Sequence, residues 1–168
     1  MSTNKFIGLL NGAKTLFTAI ASSAGVGDAS KILMTDTSGR LSLTFMPVGI
    51  GPTTSSAVAF EALAAGDNVN IFDVAGAANC RKADCTNGRS ANGFVLTAFA
   101  SAATVTIYSS GVNTARTGLT AGILYFLSTA GGVSTSAPSA SGSIVQEIGV
   151  ASTSTSLAFD YDAPTAIA

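Results

Sequence analysis

Short apolar runs separated by turns fill the second half of the chain. From about residue 56, segments such as AVAFEAL, GDNVNIF, ATVTIYSS, ILYFLS and SLAFDYD either alternate apolar and polar residues or are briefly apolar throughout. Between them lie turn-forming stretches such as CTNGRSANG and TAGG. Strands about ten residues apart with such turns are typical of a β-sandwich or a small barrel. The pattern predicts an all-β, mainly antiparallel domain over residues 53–162, followed by a C-terminal tail at 163–168.

The alternation also predicts which side chains point into this domain, because successive residues of a strand face opposite sides of the sheet. In AVAFEAL the alternation runs through Val58, Phe60 and Ala62. Along the whole domain we expect these residues to be largely inward: Val69, Ile71, Phe94, Leu96, Val105, Ile107, Leu124, Phe126, Ile148, Val150 and Phe159.

The sequence Leu-x-Ala-Gly occurs twice, beginning at Leu63 and at Leu119, and each time it leads into a strand. We expect a tight turn at both places, with Gly66 and Gly122 in a backbone conformation that other residues resist. Two occurrences indicate shared turn chemistry and do not establish a repeat.

The first 20 residues have a different pattern, with apolar side chains three and four positions apart. This spacing predicts an amphipathic helix, capped by Ser2 or Thr3. Its apolar face would pack either on its own domain or on a partner subunit, and both alternatives stay open. The apolar positions are Phe6, Leu9, Leu10, Ala13, Leu16, Phe17 and Ile20.

Residues 21–55 are broken by glycine and proline, which indicates an extended arm with a strand or two. The helix and arm together form a predicted N-terminal region, residues 1–52, with more apolar side chains than such a broken segment can bury by itself. We therefore predict that this region binds other chains. The candidate partner-binding residues are Phe6, Leu10, Phe17, Leu41, Phe45 and Met46.

Composition narrows the class of protein. Charged residues make up 10% of the chain and apolar residues 47%, and the net charge is −1. The local basic cluster is limited to Arg81, Lys82 and Arg89, so we expect no nucleic-acid partner. No apolar run reaches the 18 or so residues of a membrane span, so we expect no membrane-spanning helix. The N-terminal stretch resembles a secretion signal, but Asn11 and Lys14 interrupt its apolar run, so we expect this stretch to be retained in the mature protein. A surface of small hydroxyl and methyl groups favours an assembly component.

Chemistry-bearing residues are sparse. There is no histidine, and the acids are scattered apart from Asp160 and Asp162, which would share one strand face and are more simply explained as solvated carboxylates than as a cation site. Cys80 and Cys85 lack a zinc-binding spacing; two free thiols are expected, with a local disulfide as the alternative. We predict no catalytic residues, no metal, no cofactor and no small-molecule substrate.

Several phrases in order along the chain, ASKILMTDTSGRLSLTFMPVGIG, ALAAGDNVNIFD, RKAD, ANGFVLTAFASAATVTIYSSGVNT and GLTAGILYFLSTAGG, resemble a family of tailed-bacteriophage virion proteins. The likeness covers roughly residues 28–160. It departs at Cys85, where a small residue such as alanine is expected, and it leaves the first 20 residues unmatched.

The resemblance implies a structural virion protein without catalytic residues. Its expected role is that of a capsid cement (decoration) protein that binds the assembled head, with the major capsid protein and sister subunits as partners, in a homotrimer. It would assemble in the bacterial host cytoplasm and lie on the capsid surface of the virion. The alternative is a tail-fibre or baseplate structural protein, and copy number per virion distinguishes the two.

Overall fold

A computed structural model describes residues 5–46 and 51–168 of the chain. Two units are distinguished by their internal contacts, Met1–Gly51 and Pro52–Ala168. Regular structure is all-β in the described residues, with three short 3₁₀ turns and no α-helix.

The first unit begins with a β-hairpin where the sequence predicts an amphipathic helix, so that prediction is wrong. Strands β1 (Lys5–Leu10) and β2 (Ala13–Thr18) pair antiparallel. Asn11 and Gly12 connect them with φ angles of 50° and 80°. Two left-handed residues in a two-residue connection make the turn that matches the twist of a hairpin, and Asn-Gly is its preferred sequence. This local preference outweighs the helical spacing of the apolar residues.

The rest of the first unit has little regular structure. Two 3₁₀ turns, Val26–Asp28 and Leu43–Phe45, lie along it, and a single parallel bridge joins Ile20 to Leu33. Among the described residues of this unit only Ala19 is buried. The unit therefore has no hydrophobic core in the part of the chain that the structure describes. The predicted capping residues Ser2 and Thr3 lie outside the described residues.

The second unit begins with a small closed barrel of five strands. They are β3 (Thr54–Ala59), β4 (Asn68–Val74), β5 (Ala77–Lys82), β6 (Gly93–Phe94) and β7 (Thr104–Tyr108). The order around the barrel is β3-β5-β4-β6-β7, and β7 pairs with β3 to close it. The β3–β5 pair is parallel and the other pairs are antiparallel.

The barrel interior is filled by small and β-branched side chains, as the narrow lumen of a five-stranded barrel requires. Many of them are completely inaccessible to solvent. They are Ala57, Ala59, Leu63, Val69, Cys80, Val95, Val105 and Ile107.

Seven further strands follow the barrel: β8 (Gly111–Asn113), β9 (Leu124–Leu127), β10 (Val133–Ser134), β11 (Ile144–Val145), β12 (Glu147–Ala151), β13 (Leu157–Phe159) and β14 (Thr165–Ala166). Five of them form an antiparallel sheet in the order β10-β9-β12-β13-β8. Strand β14 pairs with β11, so the segment predicted as a tail contains a short strand.

A second core holds the five-stranded sheet against the barrel wall. The ring centroid of Phe94, in the barrel strand β6, is 5.0 Å from that of Phe159 in β13 and 5.5 Å from that of Tyr108 in β7. Gln146 adds a buried polar link, since its side-chain amide exchanges two hydrogen bonds with the backbone of Ala91 at 2.7 and 3.0 Å. The sheet and the barrel therefore form one body within the second unit.

Four turns of this unit share one backbone arrangement, at residues 64–67, 100–103, 120–123 and 140–143. In each, the fourth residue donates to the first carbonyl, and the third residue has a positive φ. The N–H of the third turn residue also donates to the carbonyl of a residue in another segment of the chain. The N–H of that outside residue in turn donates to the carbonyl of the fourth turn residue. The third residues are Gly66, Ala102, Gly122 and Gly142, and their external partners are Val95, Ala59, Ala151 and Ile167 respectively. The predicted turns at Gly66 and Gly122 are confirmed, and two more use the same geometry.

The predicted inward positions are confirmed for some strands only. Buried residues are Val69, Phe94, Val105, Ile107, Ile148 and Phe159; half-buried residues are Ile71, Leu96, Leu124 and Phe126; Val150 is exposed. In β9 the structure buries Tyr125 and Leu127 instead. Along β3 the alternating residues Ala57 and Ala59 are buried, whereas Val58 and Phe60, which follows the strand, are exposed. These strands have apolar side chains on both faces, so alternation alone does not identify the inner one.

Val150 is exposed because the strand register shifts just before it. A bulge between Glu147 and Gly149 leaves both Ile148 and Gly149 buried. Gly149 has φ 142°, and a Cβ there would lie 1.8 Å from the carbonyl oxygen of Ala158. Only glycine fits at this position, and the following residue is turned outward.

Candidate partner-binding surface

The N-terminal hairpin carries apolar side chains on both of its faces. On one face Phe6 lies directly opposite Phe17, and Leu10 lies opposite Ala13. The Phe17 ring covers Gly8, where a Cβ would come within 2.8 Å of Cε2. Phe6 is nevertheless 47% exposed and Leu10 54% exposed. This face brings together three of the six predicted partner-binding residues: Phe6, Leu10 and Phe17.

The opposite face of the hairpin carries Leu16, which the predicted helical face includes, and Ile7, which it does not. Ile7 and Leu16 lie directly across from each other on it, 75% and 55% exposed. Lys5 and Lys14 lie on the same face, two residues from this pair on either strand, and both are exposed. The signal that identifies this pair is the period of two on each side of Asn11-Gly12.

The other three predicted residues lie at the far end of the described part of the first unit. Leu41 and Met46 are exposed, and Phe45 is half-buried in the second 3₁₀ turn. The turn is held by a hydrogen bond of 2.8 Å from the Ser23 N–H to the Thr44 hydroxyl. These three side chains lie close together in the sequence and form a second apolar segment, in which Leu41 and Met46 are exposed.

An open hollow of about 560 Å³ lies beside the hairpin, lined by Phe6, Ala21, Met34, Thr35, Asp36 and Thr37. Its one carboxylate accepts backbone hydrogen bonds from Arg40 and Ser38, at 2.9 and 2.8 Å. These bonds lower the pKa of Asp36, Arg40 contributing most. The carboxylate therefore serves to order its own loop.

The carboxylates and thiols of the second unit are spread over its described residues. No group of three or more potential ligands could hold a metal ion there. Asp160 and Asp162 line a shallow surface hollow with Glu147. Cys80 and Cys85 are free and buried, and burial raises the pKa of Cys80 to about 11, which keeps its thiol protonated.

Arg116 is a structural residue. Its guanidinium donates to the carbonyl of Gly131 at 2.7 Å, and burial, partly offset by the charge of Asp67, lowers its pKa to about 10. It remains protonated at neutral pH, which suits a hydrogen-bond donor.

Comparison of the chain with known protein families, with curated proteins and with solved structures gives no match. None of the helical segments among the described residues is long and apolar enough to cross a membrane.

Proposed function

We propose that this protein is a structural virion subunit, a capsid cement protein whose N-terminal region binds neighbouring subunits. One observation carries the proposal. The described residues of the first unit bury a single side chain, Ala19, and expose nine large apolar ones. They are Phe6, Ile7, Leu10, Leu16, Val26, Ile32, Leu33, Leu41 and Met46.

A surface of this kind is costly for a free monomer. Exposed apolar patches of a few hundred Å² usually mark an interaction site or an aggregation liability. Burying one large apolar side chain is worth roughly 1.5–3 kcal/mol, so a few of them stabilise a complex even after ordering costs. A two-stranded hairpin is also only marginally stable by itself in water. The first unit thus has the properties of a segment that is completed by another chain.

The second unit supplies the rigid body that such an attachment needs. It has two hydrophobic cores and a closed barrel, with no cluster of metal-ligating side chains among its described residues. The order of phrases that resembles tailed-phage virion proteins supports the virion as its location, on the capsid surface. Its partners would be the major capsid protein and sister subunits in a homotrimer. Binding only the assembled shell would stabilise that shell by mass action.

Quantitative mass spectrometry of virions that carry the protein tests this function. A cement protein is present in hundreds of copies, comparable to the major capsid protein. A handful of copies would overturn the cement assignment and favour the tail-fibre or baseplate alternative. Absence from virions would overturn the virion function altogether.

Attachment through the first unit is tested by co-sedimentation with capsids that lack the protein. The double variant Phe6→Ser/Ile7→Ser should lose capsid binding, because it removes apolar side chains from both hairpin faces. Val58→Ser, which removes an exposed apolar side chain from the barrel exterior, is the matched control and should bind as the unaltered chain does. Equal binding by all three proteins would contradict attachment through the hairpin.

A further inference from the structure

The outer face of the five-stranded sheet is a second apolar surface, separate from the hairpin. Val112, Ala158, Val150 and Leu124 are paired in register across β8, β13, β12 and β9, so they form one row on the same face. Val112 is 47% and Val150 44% exposed, Ala158 is exposed and Leu124 is half-buried. An antiparallel sheet with one face on the core normally presents polar side chains on the other. The apolar composition of this row is therefore that of a sheet face that packs against another surface.

Acidic side chains border the row on one side. Glu147, Asp160 and Asp162 line the same surface hollow as Leu124, Val150 and Ala158. No basic side chain lines that hollow. Within the described part of the chain, the carboxylates of Glu147 and Asp160 make no hydrogen bond or ion pair. The surface is thus matched to an apolar partner that carries positive charge.

One face of the N-terminal hairpin has this chemistry. Ile7 and Leu16 form its apolar centre, and Lys5 and Lys14 flank that centre from opposite strands. In sequence, residues 1–51 hold four basic and two acidic side chains, whereas residues 52–168 hold four basic and seven acidic ones. The two surfaces are complementary in charge and in apolar character, and each is exposed in the single chain.

We propose that the Ile7–Leu16 face of one copy's hairpin packs on the outer sheet face of a second copy, with Lys5 and Lys14 directed to the acidic border. The inference rests on the proposed function only in that the hairpin binds another subunit, and it identifies that subunit as a sister copy. The opposite hairpin face, with Phe6, Leu10 and Phe17, remains free for the capsid shell.

The dimensions of the two surfaces agree. A six-residue strand is about 20 Å long, and a row across four strands is about 15 Å wide, so the hairpin covers the row when the two sheets stack face to face. One such contact is smaller than a stable interface usually requires. Because the two surfaces differ, the contact is head-to-tail, and three copies that each give a hairpin and receive one close a ring with three contacts.

Disulfide trapping between two separately prepared full-length variants tests the pairing. Leu16→Cys is mixed with Val150→Cys under mild oxidation, and the expected product is a disulfide-linked heterodimer. A disulfide between two different variants forms only between copies, and the native cysteines are buried. The matched control mixes Leu16→Cys with Val58→Cys, whose position is exposed on the barrel exterior, and should give little heterodimer. Equal yields in both mixtures, or none in either, would overturn the proposal.

A charge exchange provides the second test. Lys5→Glu/Lys14→Glu should weaken self-association by about fivefold, as expected for two solvent-accessible ion pairs, and adding Glu147→Lys/Asp160→Lys should restore it. Weakening without restoration would overturn the pairing. If the hairpin variants lose capsid binding but the sheet variants change neither self-association nor trapping, the proposed function stands and this inference fails.

Discussion

The shared turn geometry predicts that a single methyl group has different effects at equivalent positions. Gly122 has φ 80° and open space around its missing Cβ, so Gly122→Ala introduces backbone strain alone. That strain costs about 1–2 kcal/mol, and the reduced freedom of the unfolded chain offsets about 0.4–1 kcal/mol of it. We expect Gly122→Ala to lower the free energy of unfolding by about 1 kcal/mol.

Gly66 occupies the same place in its turn, with φ 88°, but its surroundings are crowded. A Cβ there would lie 2.7 Å from the carbonyl oxygen of Ala115 and 3.0 Å from its carbonyl carbon. Backbone atoms cannot move aside as a flexible side chain does, so overpacking adds about 1–3 kcal/mol to the strain. Gly66→Ala should therefore lower the free energy of unfolding by about 2–4 kcal/mol.

Ala102 provides the reverse test, because it holds the glycine position of its turn at φ 65°. Ala102→Gly removes the backbone strain but increases the conformational freedom of the unfolded chain. The free energy of unfolding should therefore stay unchanged or rise by up to about 1 kcal/mol. Urea denaturation followed by circular dichroism measures all three variants at constant m-value. Equal losses for Gly66→Ala and Gly122→Ala, or a clear destabilisation by Ala102→Gly, would refute this account of the turns.

Three further predictions concern the second unit. Gln146→Leu leaves the buried N–H and C=O of Ala91 without their side-chain partners and should lower the free energy of unfolding by about 3 kcal/mol, measured by urea denaturation. Cys80 should resist iodoacetamide in the folded protein and react on unfolding, since burial raises its pKa to about 11; rapid labelling under native conditions, detected by mass spectrometry, would contradict its placement. Partial burial opposes ionisation of Asp84, but its hydrogen bonds from Thr86 and the neighbouring backbone outweigh this and lower its pKa. The resulting stabilisation is present above the unfolded-state pKa near 4 and is lost as pH falls through the lower folded-state value, so the stability difference between the unaltered chain and Asp84→Asn should shrink below about pH 4.

The all-β class and the turns of the second unit could be predicted from sequence because glycine and alternation mark them locally. The side of each strand that faces the core was harder to predict. In β9 the residues on both faces are apolar, Leu124 and Phe126 on one and Tyr125 and Leu127 on the other. Only the packing against the barrel determines that Tyr125 and Leu127 are the buried pair. At Val150 the bulge at Gly149 reverses the phase within one strand, which a period-two pattern does not register.

The predicted partner-binding residues at the N-terminus follow a helical spacing, but the structure places them on a hairpin. A helical face groups Phe6, Leu10 and Phe17, and the hairpin also places these three on one face, because Phe6 and Phe17 are cross-strand partners. Ile7 lies outside the predicted helical face, and Leu16 lies on that face but is not among the six candidate residues, whereas the hairpin pairs Ile7 with Leu16 on its opposite face. The Asn11-Gly12 turn is the local feature that distinguishes the two structures.

The central claim is that the first unit is a binding surface for other subunits. Sedimentation equilibrium of the full-length chain over a wide concentration range tests it most directly, beside the variant Ile7→Ser/Leu16→Ser. We predict a concentration-dependent trimer for the unaltered chain and a folded monomer for the variant, with equal free energies of unfolding for the second unit. A chain that stays monomeric throughout, or a variant that assembles as the unaltered chain does, would contradict the claim.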